Sequence, residues 1–243
     1  MWVDRSPPTC LRVWTPTGRD MQTRAGVPMI VANSLMRRRA DIDLATFQAH
    51  WLDPHGPLTA KLPRCRRYVQ NHILDLPGTD ALARALRIDG IPQLAFDTPE
   101  DRLAAHNSPE LKACDQDSQL FVGAVSRVMT RIDGAADFDG PPGTIKQILL
   151  FLAPRGDAAP PGAARLDPAT LEPLLQGVRR LVKHAVIEQT RAPGSRVANL
   201  DIRVDGIWEV WLDGPDAVQR NAATLDRDGS GVASFVVKVH AFI

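Results

Sequence analysis

A chain of 243 residues, 44% of them hydrophobic, is long enough for one large domain or two small ones and able to bury a sizeable core. Lys and Arg total 29 against 28 Asp and Glu, a net charge of +1, so there is no general electrostatic reason to bind nucleic acid or an anionic membrane. Cys10, Cys65 and Cys114 are odd in number, widely spaced and free of any C-x-x-C pair, which argues against a disulfide framework or a zinc site and for a reducing cytoplasm. No apolar stretch approaches the ~18 residues of a membrane helix, and Asp4, Arg5 and two prolines stand where a signal peptide needs an apolar run.

Residues 1–28 hold no sustained period and carry several prolines and glycines, which reads as an N-terminal extension. Met29 to Met36 is an expected strand, and Asp43 suits the N-cap of a helix whose apolar stripe includes Phe47 and Trp51. Pro54, Gly56 and Pro57 should bend that helix, with Leu58 to Leu62 forming one more turn. Arg66 to Leu74 and Ile91 to Phe96 read as strands, the second opened by the turn signal Asp89-Gly90. Helices are expected from Pro99 and from Ser108-Pro109-Glu110, and Leu120 to Met129 closes the unit as a strand. The order is β-α-β-β-α-β.

Residues 134–143, with adjacent Pro141 and Pro142, look like a linker, after which the same order returns. Ile145 to Leu152 reads as a strand, and Asp167-Pro168 opens a helix expected to run through Leu171, Leu174, Leu175, Val178 and Leu181. Strands follow around 185–189, 197–204 and 207–212, then a helix from Pro215 and a final strand, Ser234 to Ile243. Asp89-Gly90-Ile91-x-Gln93 returns as Asp205-Gly206-Ile207-x-Glu209, and the offsets of Thr46-Phe47 to Thr170-Leu171 and of Phe121-Val122 to Phe235-Val236 are nearly the same. The expected class is therefore α+β: two ferredoxin-like units, 29–133 and 144–243, whose uncovered sheet faces bury each other in an intramolecular barrel. Such a pseudo-dimer leaves a further homodimer open.

Polar residues concentrate in the first copy. His50 and His55 would stand about 140° apart on a regular helix, so a helical metal pair is not expected and no metal site is assigned. On the following strand, alternation sends Tyr68, Gln70 and His72 to one face and Val69, Asn71 and Ile73 to the other. Either the more apolar second set packs on the helices and the first lines the barrel, a phenol, an amide and an imidazole suited to acid–base chemistry, or the polar side of the strand faces water. Asp117 is placed to orient a histidine or cap a turn, while His106, Cys114, His184 and His240 are given no role.

Taken together, His50-Trp51-x-x-x-His55-Gly56-Pro57-Leu58, Leu62-Pro63 and Arg67-Tyr68-Val69-Gln70-Asn71-His72 resemble the hallmark of the EthD-type family of dimeric α+β barrel proteins. Asp89-Gly90-Ile91, Ser108-Pro109-Glu110 and Asp117-x-x-x-Phe121 continue the pattern, whereas Leu174 and Leu175 stand where the second copy would need His-Trp. The resemblance implies a barrel usually formed by a homodimer, and relatives that include a methylmuconolactone methylisomerase and cofactor-free polyketide cyclases, dehydratases or decarboxylases. In the isomerase a histidine of this motif and a tyrosine on the next strand line the pocket, and the matching positions are His55 and Tyr68; the cysteine such enzymes also use has no clear counterpart. The resemblance thus implies a cofactor-independent lyase or isomerase acting on a small aromatic, lactone or polyketide-like compound. His55, Tyr68 and His72 are its expected catalytic groups, and His50, Trp51, Gln70, Asn71 and Asp117 its substrate-binding ones. Two alternatives stand beside it: a non-catalytic small-molecule carrier of a catabolic pathway, and a haem-dependent enzyme, since related barrels hold haem through a histidine.

Overall fold

The computed structural model describes residues 28–74, 80–133, 138–153, 167–190, 196–225 and 230–243. The expected N-terminal extension lies outside them apart from Pro28, and so does 134–137 of the expected linker. In the first unit β1 (Met29–Arg38) leads into α1 (Leu44–His50), capped by the Asp43 side chain, which accepts from Thr46 N. A π-helical turn over Trp51–His55 and α2 (Gly56–Thr59) continue it. After β2 (Arg67–Ile73) comes α3 (Ala81–Leu86), a short helix with no counterpart in the sequence expectations, capped by Asp80. Then follow β3 (Gly90–Phe96), α4 (Pro99–His106), α5 (Pro109–Ser118) and β4 (Val122–Ile132). Thr98 and Ser108 cap α4 and α5 with a proline directly after each, the arrangement expected of a helix start.

The second unit departs from expectation in two places: its first helix is short, and of the strand expected near 197–204 only Ala198–Asn199 is extended before the next strand begins at Val204. It has β5 (Ile145–Leu152), a single-turn α6 (Pro168–Leu171), a 3₁₀ turn over Glu172–Leu174, and then β6 (Val178–Thr190). The leucines that suggested a long helix are divided between that turn and the strand. The helical path ends at Leu175, already extended at φ −72° and ψ 130°. Gly177, at φ +67°, then takes the left-handed conformation just before β6, and Val178 and Leu181 pack on the same apolar cluster from an extended backbone. The unit closes with a two-residue β7 (Ala198–Asn199), β8 (Val204–Leu212), α7 (Pro215–Leu225) and β9 (Val232–Ala241).

Hydrogen bonding gives the strand order β1-β3-β2-β9-β5-β8-β6-β4, and β4 also pairs with β1, so eight strands close into a barrel with β7 attached at β4. Each unit supplies a four-stranded antiparallel sheet, and the two seams, β2 with β9 and β4 with β6, are both antiparallel. Both seams join the second strand of one unit to the last strand of the other, the pattern of a twofold dimer realised in one chain.

Register fixes which side chains enter the barrel. Asn33 pairs with Gln93 and Val69 also pairs with Gln93; Asn71 pairs with Ile91; in the second unit Ile148 and Val182 pair with Glu209, and His184 with Ile207. These face inward. Two apolar clusters, one around Leu35, Ile91, Ile148, Ile207 and Phe235, the other around Val31, Val69, Ala95 and Phe138, lie on either side of a polar layer. That layer holds Asn33, Asn71, Gln93 and Thr130 from the first unit and Lys146, His184 and Glu209 from the second, none more than 3% exposed. Asn71 Nδ2 donates to Gln93 Oε1 (2.9 Å), Gln93 Nε2 to Glu209 Oε1 (2.6 Å), and Asn33 Nδ2 to Thr130 Oγ1 (2.9 Å). Lys146 Nζ lies 2.6 Å from Glu209 Oε2 and donates to Gln93 Oε1 at 3.0 Å. His184 bridges Thr130 (3.0 Å) and Glu209 (2.6 Å). Burial alone would raise the Glu209 carboxyl, but Lys146 and His184 outweigh it and hold the group below the ordinary carboxylate range.

The polar layer corrects the expected facing of β2. Asn71, read as packing on the helices, points into the barrel, while Tyr68, Gln70 and His72, read as lining the barrel, face the helix layer. Local alternation separates the two sets but does not say which side each takes; the decisive partners, Gln93 and Glu209, are remote in sequence.

Candidate active site

Between the outer face of the first sheet and its helices lies a cavity of about 140 Å³, lined among others by Ser34, His55, Thr59, Tyr68, Leu94 and Cys114. His55 arrives there through the π-helical turn. In a π turn residues five apart come into line, so His50 and His55, which an α-helix would send to different faces, reach the same carboxylate. His55 Nδ1 lies 2.8 Å from Asp117 Oδ2, and His50 Nε2 lies 3.1 Å from Asp117 Oδ1. A carboxylate only accepts, so each of these nitrogens donates and His55 Nε2 is left with its lone pair. Phe121, one turn beyond Asp117, packs against both rings at 4.9 Å between centroids. The Asp117-x-x-x-Phe121 pattern is thus a holder for two imidazoles. Burial is the larger influence on His55 and lowers it below the usual histidine value, with Asp117 opposing.

Tyr68 is fully buried, its oxygen accepting from Gln70 Nε2 at 2.8 Å, which leaves its own hydrogen to donate. Burial pushes the phenol up, so it stays protonated. The second unit reaches this wall: the Phe242 ring stacks on Tyr68 at 5.0 Å, and a Cβ on Gly56 would stand 2.1 Å from the same ring. Gly56 is therefore the residue that lets the helix bend approach the other half of the chain. Gly90 has a matching role, since a Cβ there would meet Trp51 at 2.3 Å. Asp89 before it accepts from Arg38 N (2.8 Å) and pairs with the Arg38 guanidinium, so the Asp-Gly pair both anchors β1 and makes room for the indole.

Not every expected site residue reaches the cavity. His50 is a partner of Asp117, and Trp51 packs with Phe47, its ring stacked on His72 at 4.4 Å and 8°. Gln70 is tied beneath Tyr68, also donating to Trp51 O at 2.6 Å, and Asn71 is in the barrel. His72, expected to be catalytic, is buried against Trp51 and donates from Nε2 to Gln70 Oε1 at 2.8 Å. Burial, with His240 and Lys238 adding to it, brings His72 down to about 3. A histidine lowered this far stays neutral while its unfolded counterpart, near 6.5, charges. Stability contributed by a neutral His72 is complete above pH 6.5 and is lost as pH falls from there toward 3, by at most about 1.4 kcal/mol per pH unit. Urea titrations at pH 7 and pH 4.5 should therefore show a smaller pH-dependent loss in His72→Gln than in the wild type; the same loss in both would assign the acid sensitivity elsewhere.

Other residues emerge only from the structure. Thr59 Oγ1 donates to Cys114 Sγ at 3.7 Å on the cavity wall, and Arg102 and Arg127 line the cavity. His184, given no role from sequence, is part of the barrel layer. In the second unit the described residues fill the corresponding space. With Gln93 matched to Glu209 and Asn33 to Ile148 by register, Trp208 stands where Pro92 does and Leu149 where Ser34 does, both inside a packed cluster with Phe151 and Leu171. A porphyrin needs a pocket of several hundred Å³, so the first unit's cavity does not fit haem. Among the described residues no group of three or more His, Cys, Asp or Glu is arranged to hold a metal ion, and no helix is long and apolar enough to cross a membrane.

Fold and site together define a dimeric α+β barrel protein contained in one chain. Its first unit, over residues 39–124, matches the model of the EthD domain. Among solved structures an anthrone oxidase-like protein, 10% identical, aligns over 88% of this chain and 93% of its own with a TM-score of 0.53. An ethyl tert-butyl ether d (EthD) family protein from Bacillus halodurans, 22% identical, aligns over 42% of this chain and 95% of its own (TM-score 0.36). A mutant chlorite dismutase from Candidatus Nitrospira defluvii, 11% identical, covers 86% of this chain and 91% of its own (TM-score 0.45). No curated protein matches the sequence.

Proposed function

We propose that the chain is a lyase or isomerase that acts on a small ring compound by acid–base chemistry of its own side chains. The observation that carries this reading is the His55–Asp117 pair beside the cavity, with Nδ1 held on the carboxylate and Nε2 left basic. His55 takes a proton from carbon or oxygen next to an electron-withdrawing group, and Asp117 stabilises the imidazolium that results. Tyr68, kept protonated by burial, donates to the oxygen on which charge develops. A cavity of about 140 Å³ accepts a ligand of about one ring, comparable to cavities known to take benzene.

Turnover of a panel of small aromatic and lactone compounds tests this, followed by His55→Gln and Tyr68→Phe on whichever is converted. A loss of ~10²-fold or more in kcat for His55→Gln is expected, with a smaller loss for Tyr68→Phe. Full activity in both variants would sink the reading, and binding without turnover would favour a carrier.

A further inference from the structure

The cavity that holds His55 and Tyr68 has a second polar end. On β4, Val128 and Thr130 belong to the barrel interior, so alternation turns Arg127 to the helix layer, where it meets the cavity together with Arg102 of α4. Among the described residues neither guanidinium makes a hydrogen bond or an ion pair; Arg102 lies 5.9 Å from the centre of the Phe96 ring. Arg38, Arg39, Arg64, Arg66, Arg67 and Arg179 each have a carboxylate partner, and Arg131, Arg203 and Arg220, which have none among the described residues, are exposed. Arg102 and Arg127 are set apart by being unpaired while partly withdrawn from water on the cavity. Asp115 is near enough for its charge to be felt by both, yet forms no ion pair with either. Burial is the main influence on the two groups and lowers both from the ordinary arginine value, and Arg127 lowers Arg102 further. Asp115 lines the same cavity and offsets only part of this, so folding alone still disfavours two like charges half withdrawn from water there. An anion between them removes the conflict, and guanidinium forks match a planar carboxylate.

We propose that Arg102 and Arg127 form an anion subsite and that the ligand of this cavity is a small ring compound bearing a carboxylate. The assignment rests on the acid–base reading for what happens at the other end. Arg127 is on β4 and Tyr68 on β2, the two edge strands of the first unit's sheet. A carboxylate held at one edge directs the rest of the ring toward Tyr68 at the other, so the anchoring carboxylate is retained in the product.

Benzoate and benzamide, alike in shape and different in charge, are the probes. Calorimetric titration of each into the wild type, Arg102→Gln, Arg127→Gln and His55→Gln reads binding without turnover. The wild type and His55→Gln should bind benzoate at least tenfold more tightly than benzamide, and the preference should vanish in both arginine variants. Without ligand those variants should melt at or above the wild-type temperature, which also shows that they fold. Equal affinity for the two probes in the wild type, or a preference that survives both arginine substitutions, overturns the proposal. A preference lost in His55→Gln and kept in the arginine variants assigns the charge to His55 and overturns it too. Because no step of catalysis is measured, either failure leaves the acid–base reading to its own assay.

Discussion

Replacing Lys146 by Met should lower the folding free energy by about 3–5 kcal/mol, the largest single effect on stability expected in the barrel. Lys146 and Glu209 are both withdrawn from water and their charges stand 2.6 Å apart. Taking the ammonium away leaves Glu209 charged in a dry interior with only neutral donors and His184 around it. For a chain of this size the loss corresponds to roughly 6–20 °C in melting temperature. The informative comparison is the double variant Lys146→Met/Glu209→Gln, which removes both charges and keeps the acceptor for Gln93 and His184. Its loss should be well below the sum of the two single losses. Strict additivity in chemical denaturation would show that the pair is not coupled.

The second large effect concerns turnover. Asp117→Asn should reduce kcat by roughly 10²–10⁴-fold while leaving KM little changed, because Asp117 holds the two histidines and does not itself line the cavity. An amide offers His55 Nδ1 a poorer acceptor and gives the imidazole a reason to place its proton on Nε2, where the base is needed. The pH profile separates this from simple misfolding. His55 must be neutral to accept a proton, so activity falls as pH drops through its pKa. In the wild type that fall lies below the usual 6.5, since burial outweighs Asp117. Removing the carboxylate takes away the main group holding it up, Asp115 adding only a smaller pull, so the acid limb of kcat/KM should move to still lower pH. An acid limb in the same place in both proteins would show that His55 is not the titrating base.

Most elements and the helix caps were readable from the chain because each depends on neighbours in sequence: Asp43, Thr98 and Ser108 cap the helices they precede. What could not be read depends on distance or on irregular backbone. The facing of β2 was inverted because an apolar face seemed to belong against helices, while the barrel interior is itself largely apolar with one polar layer across it. The joint hold of Asp117 on His50 and His55 was hidden by a helical wheel of 3.6 residues per turn, which the π turn does not obey. Leu171 to Leu181 matched a helix by spacing, yet the chain is extended from Leu175 on, and Gly177 in the left-handed region sits inside the stretch a helix would have needed. Arg102 and Arg127 belong to no motif; only the lack of partners in the folded chain marks them.

The contact between Gln93 and Glu209 has one more consequence. These positions correspond in the two units, and equivalent residues touch only on the axis that relates them. A true homodimer must place the same side chain on both sides of that axis. Two copies of the second half would confront Glu209 with Glu209 in a dry barrel. Two copies of the first would offer Gln93 its twin, without the Lys146 cation or the His184 donor that complete the layer. Each half is therefore specific for the other and a poor match for itself. The residues on the axis thus make the two halves complementary: the Gln93 amide donates to the Glu209 carboxylate, which a second Glu209 could not do.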